Sequence, residues 1–189
     1  TENGESEKFL FYRGLGNVPG PLVAKRGAEG LSLAGGADIM QIWQVDVRAD
    51  GTVAFSRNAS GKRSFGIFEE QDYSAARLDA LKNDLHKALV AEGLFADEAT
   101  AMLKTWDYSY FKAPGERIFY LVPQKWTDAV LPIKFSAPAD VTRVMIGRIE
   151  MIGARQSHAL KRMQQATADD IQSFIEKSTA DVKDWQLFQ

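Results

Sequence analysis

Between Glu69 and Asp72 the repeat of the hydrophobic pattern changes from two residues to between three and four, and that change constrains the fold more than any single motif. Upstream lie short apolar runs cut by glycine and proline. Lys8–Arg13 (KFLFYR), Leu22–Lys25 and Leu31–Leu33 read as strands, separated by the cluster Val18-Pro19-Gly20-Pro21 and closed by Gly35-Gly36. In Met40–Arg48 (MQIWQVDVR), Trp43, Val45 and Val47 alternate with Gln44, Asp46 and Arg48. Asp50-Gly51 marks a hairpin after it. A two-residue loop would set Asp46 across from Phe55. A three-residue loop, Ala49-Asp50-Gly51, sets Val47 against Val53 and Val45 against Phe55, so apolar pairing favours the longer loop with Gly51 left-handed in a bulge. Arg63–Glu69 is expected to return as a strand with Phe65 and Ile67 on one face.

Downstream of the switch, Leu78, Leu81, Leu85 and Leu89 form one stripe of a helix spanning Asp72–Glu92, and Gly93 is its stop signal. A second helix follows over Ala96–Trp106, with Phe95, Ala99, Met102, Leu103 and Trp106 as its apolar face. Asp107–Phe111 reads as an aromatic loop and Arg117–Val122 as a buried strand. Pro123 opens a helical turn over Gln124–Ala129, since a first helical position tolerates a missing N–H. Ile133 and Phe135 are expected to point inward, and Val141–Met151 to form a long strand. Beyond it the pattern is helical, with Thr167-Ala168-Asp169-Asp170 as a capping-box-like start. Strands first and helices later, joined by hairpin signals, predict an α+β fold: a mostly antiparallel sheet, meander or sandwich-like, with a central helix pair and C-terminal helices. Residues 1–7 are expected to be a flexible tail and 8–189 a single α+β domain.

Composition narrows the function classes. A net charge of −2 over 189 residues gives no whole-chain reason to bind nucleic acid. With no cysteine the chain has no disulfide, thiolate nucleophile or Cys-ligated metal. No apolar run approaches the roughly 20 residues that span a bilayer. The chain opens Thr1-Glu2-Asn3-Gly4-Glu5-Ser6-Glu7 without an initiator Met, the look of a mature protein after signal removal or of a trimmed chain. A periplasmic or extracellular location is the first expectation and a cytoplasmic one the alternative.

No motif carries a cofactor. Gly14-Leu15-Gly16 lacks the third glycine and following helix of a dinucleotide loop, and no Gly-x-x-x-x-Gly-Lys-[Ser/Thr] occurs. His86 and His158 stand apart from any HxxxH or HExxH pattern, and no Gly-x-Ser-x-Gly elbow is present. Both histidines read as helix surface or boundary.

The stretch Gly93–Glu150 holds the best site candidates, with two of the four tryptophans and three of the five tyrosines. Tyr108, Tyr110 and Trp126 lie near prolines and outside any apolar stripe, which suits rings that present one face to a ligand. Arg117 and Asp128 are their expected polar neighbours. Asp107, Glu116 and Asp128, with Tyr108, Tyr110 and Arg117, are candidates to line a polar cleft, where paired carboxylates run glycosidase-type chemistry. Trp106 continues the helix face and is assigned to the core.

The phrases LFYRG (Leu10–Gly14), YLVP…WTDAVLP (Tyr120–Pro132) and RVMIGRIE (Arg143–Glu150) resemble those of bacterial exported proteins of unknown function. That resemblance implies export and carries over no functional residue. Three readings follow. The first is a non-catalytic exported or envelope-associated module that binds a protein or envelope component. The second is a hydrolase or lyase built on carboxylates and tyrosines. The third is a small-ligand or carbohydrate binder using the aromatic loop.

Overall fold

The computed structural model describes residues 18–58 and 62–153, together with Gln164, Thr167, Asp169, Asp170 and Gln172. The chain groups into two units, Thr1–Met151 and Ile152–Gln189. In the second, Gln164, Asp169, Asp170 and Gln172 are helical. Thr167 and Asp170 form the expected capping box: the Thr167 backbone N–H donates to Asp170 Oδ2 at 3.0 Å, and the Asp170 N–H to Thr167 Oγ1 at 3.3 Å. The expected strand at Lys8–Arg13 lies outside the described residues, as does His158.

The first unit carries strands β1 (Leu22–Gly27), β2 (Gly30–Gly35), β3 (Ile42–Val47), β4 (Val53–Asn58) and β5 (Ser64–Phe65). Helices α1 (Ala76–Ala91) and α2 (Ala96–Thr105) follow, then β6 (Gly115–Val122), α3 (Gln124–Val130) and β7 (Met145–Met151). The strands form two sheets, ordered β1-β2-β5 and β4-β3-β6-β7, and every pairing is antiparallel. The fold is α+β with a sandwich, as the pattern predicts.

The four-stranded sheet is the middle layer, because side chains alternate across it. Trp43, Val45 and Val47 of β3 join Phe119 and Leu121 of β6 in a core closed by Leu81, Leu85 and Leu89 of α1 and Ala99 and Leu103 of α2. Ile42 of β3 joins Ile118, Tyr120 and Val122 of β6 in a second core closed by Leu22, Leu31, Leu33 and Phe65 of the other sheet. The leucine stripe thus faces inward as its spacing requires. The β3–β4 hairpin has the three-residue loop: Val47 pairs with Val53, Arg48 N–H donates to Thr52 O at 2.9 Å, and Gly51 takes φ +83°. Only glycine adopts that angle without a Cβ penalty.

Five local expectations need correction. The strand expected over Val141–Met151 begins only at Met145. The strand expected over Arg63–Glu69 is cut to Ser64–Phe65, and Ile67 is exposed. The Gly66 carbonyl is taken by the Gln44 side-chain amide instead of a ladder partner, so the strand stops there. Phe95 is not on the buried face of α2 but at its N-cap, exposed, with its backbone N–H capped by Glu98 at 2.8 Å. Ile133 and Phe135 do not turn inward: every residue from 131 to 142 is exposed, between Pro132 and Pro138, which remove ladder donors. The aromatic loop is wound into a π-helical turn, Tyr108–Lys112, closed by the Ala113 N–H donating to Tyr108 O at 3.0 Å.

Candidate functional site

The five ligand-site candidates do not converge. Tyr110 is buried in the helix-side core, stacked on Trp106 at 5.7 Å and tilted against Phe119 at 4.8 Å. Trp126, on α3, packs against the core on the other side of the sheet. Tyr108 stands exposed at the start of the π turn, whose buried residues are Tyr110 and Phe111. Asp128 is on the solvent side of α3, where its Oδ1 accepts from Arg143 at 2.9 Å. The polar cleft of Asp107, Glu116 and Asp128 is not assembled either. Asp107 lies between Lys82 Nζ at 2.5 Å and Lys112 Nζ at 2.7 Å, bonds that hold its carboxyl below the usual carboxylate range.

Arg117 is 1% exposed and its role is visible in its partners. Its guanidinium donates to Tyr110 O at 2.8 Å, Ser109 O at 3.1 Å and Ala113 O at 2.7 Å, carbonyls of the π turn and its end. Nε lies 3.4 Å from Glu150 Oε1, an ion-pair distance without hydrogen-bond alignment. Burial works against its charge and Glu150 supports it. The sequence placed Arg117 beside a ligand; the structure uses it to hold the turn that carries Tyr108 and Tyr110.

A different polar group does gather, at one end of the space between the two sheets. Gln44 and Asp46 share a face of β3, and Asp46 is directly opposite Glu116 of β6. Directly opposed residues have Cβ atoms about 4.5–5.5 Å apart, and like charges there are unfavourable. Each carboxylate is compensated. Glu116 is ion-paired with Arg26 of β1 and accepts from Gln44 Nε2 at 2.8 Å. Asp46 Oδ2 accepts from the Tyr73 hydroxyl at 2.6 Å. Burial, and then that bond to Asp46, push the Tyr73 phenol well above its ordinary pKa, so it stays a donor. The Arg48 guanidinium lies 3.4 Å over the Tyr73 ring and forks onto both oxygens of Glu70 at 2.7 Å.

Gln44 is 2% exposed and is the floor of this group. Its Nε2 also donates to Gly66 O at 3.1 Å, whereas its Oε1 is buried with no hydrogen-bond partner. Turning the amide over would set oxygen against two acceptors, so the orientation follows from the neighbours. A buried acceptor left unpaired costs about 1–3 kcal/mol. Sequence reasoning passed over Gln44, Asp46, Tyr73 and Arg26 because they sit in three separate segments. The one available signal was two polar residues, Gln44 and Asp46, on the face of β3 opposite Trp43.

Among the described residues no group of three or more His, Asp or Glu is placed to hold a metal ion, and no helix is long and apolar enough to cross a membrane. Comparison with family models, curated proteins and solved structures returns no significant match, so the resemblance to exported proteins stands on its quoted phrases alone.

Proposed function

We propose that this is a non-catalytic module, exported to the periplasm or beyond the cell, that binds a protein or envelope component through the segment 131–144. One observation carries the reading. Residues 132–144 have neither helix nor strand, and Leu131, Ile133, Phe135 and Val141 are all exposed large apolar side chains on this stretch. Leu131, Ile133 and Phe135 alternate along the chain with Pro132, Lys134 and Ser136. Exposed apolar side chains gathered on one segment mark interaction surfaces. A protein partner suits the segment better than a lipid surface, because Lys134, Asp140 and Arg143 mix both signs of charge among the apolar groups.

The test is photocrosslinking from position 135 in the native cell, followed by the affinity of the purified partner for wild type and for a Leu131→Ser, Ile133→Ser, Phe135→Ser variant. The expected loss is at least about tenfold, or about 1.4 kcal/mol. An unchanged Kd would sink the reading.

A second reading, a hydrolase or lyase, is favoured by one observation: Asp46 and Glu116 are opposed on one sheet face, with the Tyr73 hydroxyl on Asp46. Turnover abolished by both Asp46→Asn and Glu116→Gln, with the 131–135 variant fully active, would support it over the first.

A further inference from the structure

The polar end of the inter-sheet space contains mostly acceptors, and what occupies it now is cationic. Two carboxylates, Asp46 and Glu116, oppose each other across β3 and β6. The Gln44 amide reaches the same end, since its nitrogen bonds to Glu116 Oε1 and Gly66 O, and its buried oxygen has no partner. Asp46 uses Oδ2 for the Tyr73 hydroxyl. Against these acceptors the domain has docked one guanidinium group of its own, Arg26 on Glu116, while Arg48 lies over the face of Tyr73 and forks onto Glu70. The Arg26 side chain is 40% exposed and Gly66 is exposed, so this end is open to solvent.

We propose that this end of the sandwich is a binding site for a ligand bearing a primary ammonium or guanidinium group, which displaces Arg26 and donates to Glu116, Asp46 and the unpartnered Gln44 Oε1. The donor count fits. An ammonium has three N–H donors and a guanidinium five, with no acceptor to clash with the site. A neutral alcohol or amide brings an acceptor or too few donors. The Tyr73 hydroxyl stays fixed on Asp46 and its ring face under Arg48, and the group displaced, Arg26, is 40% exposed. The proposal builds on the reading of this domain as a binding module, and gives a lysine or arginine side chain of a partner protein, or a free polyamine, as the group taken up.

Arg26 acts as a tethered competitor. A site occupied from within most of the time shows an apparent affinity reduced by the vacant fraction. Arg26→Gln should therefore tighten binding about tenfold if the arginine is docked about nine-tenths of the time. Its exposed position means that this change leaves the fold intact.

The experiment is NMR titration of the full chain, read at the Gln44 side-chain amide and the backbone amides of Asp46 and Glu116. The probes are methylguanidinium, ethylammonium, spermidine and a capped Gly-Arg-Gly peptide, with methylurea as the neutral control. The expected result is a saturable shift with the cations and none with methylurea, tightened by Arg26→Gln and weakened about tenfold by Asp46→Asn, whose Oδ1 still accepts from Tyr73. A peptide that binds tighter than spermidine identifies a protein side chain as the natural ligand, and the reverse order a free amine. No saturable shift in Arg26→Gln up to about 50 mM, where a millimolar site is filled, overturns the proposal. So does an equal shift with methylurea. The 131–144 surface takes no part in this titration, so its own test stands or falls separately.

Discussion

The indole of Trp43, with no solvent exposure, donates its Nε1–H to Asp84 Oδ2 at 2.6 Å and so ties the middle sheet to helix α1. Arg57 of β4 donates to the other oxygen of Asp84 at 2.7 Å and lies 5.3 Å over the Trp43 ring. A buried donor must have a partner, and here the partner is supplied by a helix at a sequence distance of 41 residues. Asp84→Ala should cost about 1–3 kcal/mol, because it orphans the buried indole N–H. Asp84→Asn, which keeps an acceptor, should recover part of the loss. Urea unfolding of both variants checks this, and equal stability of wild type and Asp84→Ala would refute it.

Tyr120 lies over Gly147, its partner across the β6–β7 ladder, and a methyl group at position 147 would overlap its ring. Gly147→Ala should therefore destabilise by about 1–3 kcal/mol through overpacking. In Tyr120→Leu the same change should cost much less. A double-mutant cycle gives the coupling, and simple additivity would show that the ring moves aside freely.

Leu85→Ala should cost about 2–5 kcal/mol, since the side chain is fully buried between α1 and the sheet. His86, one residue on, is half-buried, and its Nε2 lies 2.9 Å from Ala96 O and 3.1 Å from Thr100 Oγ1 on α2. His86→Ala should thus cost about 1 kcal/mol, the worth of one net hydrogen bond between the two helices. Equal losses at both sites in chemical denaturation would contradict the assigned helix face.

Arg117→Met should cost more than about 3 kcal/mol, because three carbonyls around the π turn lose a common donor. Arg117→Lys should recover little, since an ammonium cannot reproduce the planar fork. Thermal unfolding measures both. A neutral Arg117→Met would mean that the aromatic stack alone holds the turn.

Asp107 has its pKa depressed chiefly by its bond to Lys112, then by that to Lys82. A folded-state pKa below the unfolded value gives stability that is fully present above the ordinary carboxylate pKa of about 4 and is lost as pH falls through the lower folded value. The contribution should be within about 1 kcal/mol, as for other partly exposed pairs. Stability curves of wild type and Asp107→Asn should differ by a constant amount at neutral pH and converge below about pH 4. Parallel curves down to pH 2 would rule this linkage out.

Much of the fold was legible in local pattern. Alternation at Trp43, Val45 and Val47, the Asp50-Gly51 turn and the leucine stripe of α1 each report a period that one buried face imposes. Their partners were less legible. Nothing near Trp43 in the chain announces that β3 lies against β6 rather than beside β2. Nor does anything near Tyr110 announce that a π turn buries it while exposing Tyr108. Exposure at Phe95, Ile133 and Phe135 was misread for the same reason: an apolar residue faces inward only where another element arrives to cover it.

The site shows the division most clearly. Local pattern was enough to read that the chain is α+β, that β3 has one apolar and one polar face, and that α1 presents leucines to a sheet. Those properties are periodic and local, so they survive without knowledge of neighbours. Long-range packing brings Gln44, Asp46, Glu116, Tyr73 and Arg26 to one end of the sandwich and puts a sheet between Tyr110 and Trp126. Those contacts join residues tens of positions apart. They depend on which strand pairs with which, a choice made by burying both faces of the middle sheet at once and not by any one segment's own preference.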